Sequence, residues 1–452
     1  MPTQIDSLLD RFAHFGVDLS LDRITTLLAA LGNPHQQVPI IHVAGSNGKG
    51  SVCAMLSSVL KQAGYRVGRY TSPHLVEWRE RMTLNGEAIA PEELESTLQT
   101  VIAAIAPDRP SPTQFEVITA AAWLYFARQA VDIAVVEVGL GGRLDATNVC
   151  DRPLVSVITS LSREHWQRLG PTLADISREK AGILKPGCPA VLAPLPEAAR
   201  SVVMGRLLAL GCPFVEVQPS GDLSRELGDG WAEYPGGTVQ LPQPQFGSSA
   251  LMSLSAFRYH LPLPGVHQRV NAAVAIATLQ MLQHQGWQIS PTAIQEGLAQ
   301  TQWAGRLQWM TWQHQPLLID GAHNPAAAEA LRHYVDQSDR VTKPVSWVMG
   351  MLSTKDHADV FRALLRPGDR LFLVPVPDHL TADPAELKQL AQSLCPELAE
   401  CETFQQVGEA LKAAIAASKD TAQPGTTILC GSLYLIGHFL KTEQGETASG
   451  LT

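Results

Sequence analysis

The sequence predicts a two-domain α/β protein whose N-terminal domain cradles phosphates. Three observations carry that expectation. An apolar run from Val38 to Ala44 leads through Gly45-Ser46-Asn47-Gly48-Lys49-Gly50-Ser51 into a stretch of helical periodicity, and strand-like and helix-like segments alternate over most of the chain. At 452 residues, 45% of them hydrophobic and 17% charged, the chain is also too long for one core.

Ile40-Ile41-His42-Val43-Ala44 reads as a buried parallel strand, and Val52, Met55, Leu56, Val59 and Leu60 follow at the spacing of one helix face. Strand, glycine loop and helix form the context a phosphate loop requires: backbone N–H groups turn inward, the new helix adds its positive end, Lys49 supplies a cation and Ser51 a hydroxyl for Mg2+. The loop departs from G-x-x-x-x-G-K-[ST], with Val43 at the first glycine and Gly50 inserted between Lys49 and Ser51. The alternative is a glycine turn without a ligand.

Further strands are expected at 133–138, 154–161 and 190–193, separated by amphipathic stretches such as 119–129 and 173–184, which is the pattern of a parallel sheet covered on both faces. From 215 to 259, Gly, Pro, Ser and Gln break short β-like pieces, predicting a small peripheral β element. Helical spacing returns at 271–285 and after Pro291. Beyond Trp303 the alternation restarts, with strands at 317–320, 345–351, 371–376 and 427–433 and helices at 325–335, 357–365, 384–394 and 405–417. Domains are therefore expected at 1–302 and 303–440, with a disordered polar tail at 441–452.

Net charge is −9 with no dense basic patch, which argues against nucleic acid, and no apolar run of spanning length or signal-peptide pattern points to a membrane or export. Seven scattered cysteines without a C-x-x-C pair argue against disulfides and zinc knuckles, so the expected compartment is the cytoplasm.

Three residues stand out besides the loop. Glu137 ends a strand ahead of Gly139-Leu140-Gly141-Gly142-Arg143-Leu144-Asp145-Ala146-Thr147-Asn148, at the edge where parallel sheets bind ligands; it is a Mg2+ ligand candidate or a solvated strand end. His165 follows the next strand at the same edge and, alone, reads equally as a surface residue. Lys180 closes a helix and, alone, reads as a solvated lysine.

The glycine loop, Thr71-Ser72-Pro73-His74-Leu75, the Glu137–Asn148 segment, Arg178-Glu179-Lys180-Ala181-Gly182-Ile183 and Asp320-Gly321-Ala322-His323-Asn324-Pro325 occur in this order. Together they resemble the folylpolyglutamate synthases, including the bacterial bifunctional dihydrofolate synthase/folylpolyglutamate synthases, of the Mur ligase superfamily. The likeness runs from about Leu8 to Leu440. It implies a Mur-ligase-like fold: an N-terminal P-loop ATPase domain with a parallel sheet and small β element, then a C-terminal Rossmann-like α/β domain.

It also implies an ATP-dependent ligase that joins L-glutamate to dihydropteroate and to the γ-carboxylate of reduced folates through an acyl phosphate. By the resemblance, Asn47, Gly48, Lys49, Gly50 and Ser51 hold phosphates. Ser51, Ser72 and Glu137 match ligands of a first Mg2+ and His165 a ligand of a second, while Lys180 matches a lysine that is carbamylated in the family. Lys49, Lys180 and His165 are thus the catalytic expectations. Asn271, Arg306, Asp320 and His323 match ATP-binding positions, the latter three across an interdomain cleft. Ser72, Arg81 and Phe115 are assigned to the folate pocket, and Ser432, in Gly431-Ser432-Leu433-Tyr434, together with Lys355 and Asp356 of a separate motif, to the glutamate side. The implied partners are these small molecules, with no nucleic acid or membrane, and a monomer.

Three positions depart from the family pattern: Glu164 replaces the aspartate usual before the metal histidine, Ala304 replaces the proline of W-P-G-R, and 215–259 matches no motif. Competing readings are another Mur-type ligase, a synthase that extends only existing folates, and a nucleotide switch without ligase chemistry. Ser72-Pro73-His74-Leu75 and Gly50 favour the folate branch.

Overall fold

The structure is a computed structural model and describes residues 3–13, 20–241, 252–419 and 425–443. Its contacts divide the chain into two units, one of residues 1–262 and 267–302, the other of 263–266 and 303–452.

In the first unit, eight strands form one sheet in the order β4-β3-β2-β5-β1-β6-β7-β8. They are β1 (Ile40–Ala44), β2 (Val67–Tyr70), β3 (Met82–Leu84), β4 (Glu87–Ala88), β5 (Ile133–Glu137), β6 (Val155–Ile158), β7 (Ala190–Leu192) and β8 (Phe214–Glu216). The six strands from β2 to β8 in that order pair in parallel, but β3 and β4 run antiparallel at the edge, so the sheet is mixed rather than purely parallel. A hairpin needs no crossover helix, which is why the alternation of apolar runs gave no sign of it.

β1 and β5 are buried along their whole length, as strands covered on both faces must be. One face carries the helices Gln4–Asp10, Asp22–Ala30, Pro91–Ala103 and Gln114–Arg128, whose Leu9, Leu28, Leu98, Val117 and Trp123 pack on Ile40, Tyr70, Ala134 and Val136. Opposite, the helix Lys49–Gln62 buries Val52, Met55, Leu56, Val59 and Leu60. Nearer β7, Leu173–Lys180 and Glu197–Leu210 close a core of Ile158, Leu192, Ile183, Val203 and Leu207. Local chemistry starts these helices where the sheet needs them. Thr113 with Glu116 and Thr172 with Asp175 form reciprocal capping boxes, and Pro91 and Pro291 occupy first-turn positions that lack an N–H acceptor anyway.

The region 215–259 contributes β8 to the main sheet. It also forms small antiparallel pieces from β9 (Gly221–Asp222), β10 (Trp231–Tyr234), β11 (Gly237–Thr238), β12 (Ser253–Leu254) and β13 (Phe257–His260). Residues 242–251 of that region lie outside the described ones.

The second unit holds six strands in the order β14-β15-β19-β16-β17-β18: β14 (Gln308–Trp312), β15 (Gln315–Ile319), β16 (Ser346–Met349), β17 (Arg370–Leu373), β18 (Glu400–Thr403) and β19 (Thr427–Cys430). All pair in parallel except β14, which is antiparallel to β15. The final helix, Leu433–Glu443, continues into the stretch expected to be a tail, and residues 444–452 lie outside the described ones. Among the described residues no helix is long and apolar enough to cross a membrane, and all seven cysteines are free thiols.

A buried charge cluster ties this second core together. Arg332 Nη1 donates to Asp369 Oδ2 at 2.8 Å, both side chains being 5% exposed, and Trp347 Nε1 donates to the same oxygen at 3.0 Å. The backbone N–H of Arg366 donates to it as well, at 3.1 Å. Removing the carboxylate would strand a guanidinium in a low-dielectric core. Asp369→Ala is therefore expected to lower the unfolding free energy by about 3–5 kcal/mol, as read by denaturant titration.

Candidate phosphate and substrate site

The site is built at the carboxyl ends of β2, β5, β1 and β6. After Ala44 the chain turns through Gly45 (φ 151°) and Gly48 (φ 88°), and the helix Lys49–Gln62 begins directly. Both glycines are required by contact. A Cβ on Gly45 would lie 1.8 Å from Thr159 Oγ1, and one on Gly48 would lie 2.3 Å from Asn271 Oδ1. The loop is braced from the end of β6: Ser46 N–H donates to the Ser160 carbonyl at 2.7 Å, while the hydroxyls of Thr159 and Ser160 donate to the Asn47 carbonyl at 2.8 and 3.1 Å. The first-turn N–H groups from Lys49 onward, which have no acceptor within a helix, thus sit on a fixed frame.

Lys49 Nζ donates to the carbonyls of Gly45 and Ser46 at 3.1 and 3.3 Å and lies 4.0 Å from Glu137 Oε1. Glu137 is buried, 5% exposed, so the solvated-strand-end reading fails. Its other oxygen accepts the Ser72 N–H at 3.3 Å, which brings Ser72, Glu137 and Lys49 together as expected. Ser51 Oγ accepts from Gln268 Nε2 at 3.2 Å, and Gln268 in turn accepts from Asn271 at 3.0 Å. Gln268 was missed by sequence reasoning. The signal was its spacing three residues before Asn271, on one face of the helix Val266–His284.

Lys180 is not a solvated helix lysine. It is 3% exposed, and its Nζ donates to Gly45 O and to Glu164 Oε1, each at 2.8 Å. Burial pulls its pKa down against the pull of Glu164. Burial also pushes the Glu164 carboxyl up, but the Lys180 and Lys49 ammonium groups outweigh it and hold it at about 2. His165 is exposed, in the left-handed region at φ 48°. Because β1 lies between β5 and β6, Glu137 and His165 flank the phosphate loop instead of sitting on neighbouring strands.

The donors present suit Mg2+. The hydroxyls of Ser51 and Ser72 with the Glu137 carboxylate are a hard, oxygen-only set of the kind that shares this ion with phosphates. Among the described residues no group of three or more His, Cys, Asp or Glu side chains is gathered to hold a metal by itself.

The residues assigned to a ring-binding pocket gather around Tyr70. Arg81 is buried, donates from Nε to His74 Nδ1 at 3.0 Å and lies over the Trp78 ring at 4.3 Å. The turn that carries it is pinned by Glu80, which accepts the N–H groups of Leu75, Val76 and Glu77, each at 2.8 Å. Phe115 lies 6.3 Å from Tyr70, ring to ring, and fills the space a Cβ on Gly139 would need.

In the second unit, Asp320 spends both oxygens on backbone N–H groups, Leu307 at 2.8 Å and Ala322 at 2.9 Å, and burial pushes its pKa up. It thereby ties the Arg306 segment to the His323 turn. His323 Nδ1 is 2.8 Å from the Gly321 carbonyl, and Arg306 Nη1 donates to the Gly305 carbonyl at 3.1 Å. Ser432, buried at the end of β19, accepts the Tyr434 N–H at 3.2 Å.

Residues 43–194 match the model of the Mur ligase middle domain and 306–442 that of the dihydrofolate synthetase C-terminal domain. The chain is 34% identical over 452 residues to the dihydrofolate synthetase of Saccharomyces cerevisiae, covering 95% of this chain and 99% of that protein. It is 32% identical to the dihydrofolate synthase/folylpolyglutamate synthase of Escherichia coli, covering 98% and 96%. The folylpolyglutamate synthase of Mycobacterium tuberculosis, solved in complex with ADP, superposes with a TM-score of 0.82 at 29% identity, over 99% of this chain and 98% of that one.

Two outcomes test the site. Lys49→Ala is expected to weaken nucleotide binding about ten- to a hundredfold, the worth of a charged hydrogen bond; calorimetric titration with ATP reads this. The second concerns His42, buried in β1, where burial lowers its pKa from 6.5 to about 3. The unfolded chain therefore binds a proton that the folded chain refuses, so stability is lost as pH falls from about 6.5 to 3, by roughly 1.4 kcal/mol per unit. His42→Gln, which does not titrate, should show a correspondingly shallower acid dependence of its unfolding free energy.

Proposed function

The chain belongs to the dihydrofolate synthase and folylpolyglutamate synthase family of the Mur ligase superfamily, and from that premise we propose that it is an ATP-dependent ligase acting on both kinds of folate acceptor. It joins L-glutamate to dihydropteroate, giving dihydrofolate, and to the γ-carboxylate of reduced folates. The observation that carries this reading is the partly exposed loop of Gly45 to Ser51, with Lys49, beside Ser72 and the buried Glu137, a phosphate site set against an acidic, hydroxyl-bearing edge.

A carboxylate is a poor acyl donor. In the proposed sequence its oxygen attacks the γ-phosphorus of ATP and ADP leaves; the glutamate amine then attacks the acyl carbon, inorganic phosphate leaves and the amine proton passes to solvent. The N–H groups of the loop and Lys49 bind the β- and γ-phosphates and neutralise charge that builds on them. Bound Mg2+ would supply further neutralisation of phosphate oxygens, with Ser51, Ser72 and Glu137 holding one ion and His165 contributing to a second. Lys180 supports the loop as a cation through Gly45. Its lowered pKa suits it to take up CO2 as a carbamate when the Glu164 pair opens, since only the free amine reacts.

We assign Arg81 and Phe115, with Ser72, to the pterin-bearing substrate. Asn271, Arg306 and His323 are assigned to the nucleotide, with Asp320 positioning the last two, and Ser432 to glutamate. Arg81 stacks on Trp78 while Phe115 offers a ring edge beside Tyr70, surroundings suited to a flat heterocycle. The reaction uses small molecules only, and a monomer suffices for it.

The test is ADP release by the purified chain with ATP, Mg2+ and L-glutamate, comparing 7,8-dihydropteroate with tetrahydrofolate and weighing the products. Glutamate added to both is the expected result. Addition to tetrahydrofolate alone would restrict the enzyme to chain extension, and addition to neither would overturn the folate reading.

A further inference from the structure

Behind the site, on the face of the sheet opposite Glu137, three buried polar side chains form a line. His42 Nε2 lies 2.9 Å from Thr147 Oγ1, and Thr147 Oγ1 donates to Asp145 Oδ1 at 2.6 Å. Asp145 also accepts the Thr147 N–H on that oxygen at 2.9 Å, and on Oδ2 the N–H groups of Gly139 and Leu140 at 3.1 and 2.8 Å. The hydroxyl has one proton and a carboxylate only accepts, so Thr147 gives its proton to Asp145 and receives one from His42. His42 is thereby the Nε2–H tautomer, and the line runs in one direction from β1 to the loop after β5.

We propose that His42 and Thr147, acting through Asp145, are positioning residues that hold Glu137 in register with the phosphate loop. The backbone shows why such a device is placed here. The ladder between β1 and β5 ends with Val138 N–H donating to Val43 O at 2.9 Å, one residue past Glu137. Beyond that bond the two strands part, one into the phosphate loop at Gly45 and the other into the glycine-rich turn. The next two amides on the β5 side, Gly139 and Leu140, are the ones Asp145 takes.

The three amides that follow Glu137 are therefore all held, Val138 by the last ladder bond and Gly139 and Leu140 by an acceptor that His42 ties, through Thr147, to the strand carrying the phosphate loop. A packing role alone would be met by an aliphatic residue at position 42, as at Ile40, and would not need three buried polar groups, each costly unless paired. The carboxylate has to stay fixed relative to the loop because both address the same phosphates, a requirement that rests on the ligase reading above.

The decisive substitution is Thr147→Val, which keeps the shape and removes the hydroxyl. In the full chain it is expected to lower kcat for ADP release on the order of ten- to a hundredfold, as for a group displaced by a fraction of an ångström. It should also raise the Mg2+ concentration needed for half-maximal rate and quicken hydrogen exchange at the Gly139 and Leu140 amides, with ATP affinity in EDTA unchanged. Thr147→Ser and His42→Gln, which keep a donor and an acceptor in line, should restore wild-type values. His42→Leu, which leaves Thr147 bonded to Asp145, should follow Thr147→Val and serves in its place if that variant does not fold.

Wild-type turnover, Mg2+ dependence and exchange in Thr147→Val would overturn the proposal, as would equal loss in the conservative variants. A wild-type chain without glutamate-dependent ADP release would instead count against the ligase reading, and the exchange measurement would still judge the clamp.

Discussion

The close approach of the phosphate loop to the end of β6 is the constraint on which the rest of the first unit depends. At Gly45 and Gly48 the backbone passes so near Thr159 and Asn271 that no side chain fits. Much follows from that proximity. The Asn47 carbonyl can be held by two hydroxyls, Lys49 and Lys180 can share the Gly45 carbonyl, and the helix Val266–His284 can deliver Gln268 to Ser51. Moving the loop outward by the width of a methyl group would lose all of these at once, because each is a contact at hydrogen-bond length.

Charge is arranged with the same economy of space. The chain carries a net −9, yet the phosphate edge presents the partly buried Lys49 and the buried Lys180, each cation with a buried anion beside it, Glu137 and Glu164. Away from bulk water such pairs interact far more strongly than on a surface, and the loss of one partner would leave a charge uncompensated. Anionic ligands are thus met by local positive groups and oriented N–H donors while the protein as a whole repels them. The second unit follows a different rule, with Asp320 giving both oxygens to backbone N–H groups and serving as a strut.

Much of this architecture is legible in the chain. The span 40–44 is read as a strand and is one, residue for residue, because a run of aliphatics beside glycines has few other solutions. The helix Pro384–Leu394 is equally legible, with Asp383 as cap and Pro384 in the first turn. The strands not legible are the short interior β2, whose Val-Gly-Arg-Tyr forms no apolar run, and several at or near the sheet edges. β3 and β4 are very short, and the edge strands β14, Gln-Trp-Met-Thr-Trp, and β18, Glu-Cys-Glu-Thr, mix polar with apolar residues where a strand covered on both faces is continuously apolar.

By itself, the sequence determined the alternating α/β pattern, the glycine loop with its lysine and serine, and the ordered motifs that identify the family. These are local facts, since a turn needs its glycines and a helix its cap wherever the chain travels. Only the tertiary structure decided that Glu137 and Lys180 are buried, that Glu137 and His165 flank β1, and that Asp320 braces its own backbone. Burial and pairing depend on residues far away in sequence, Glu164 against Lys180 or His42 against Thr147, and no local pattern records which distant group will fill the space beside a side chain.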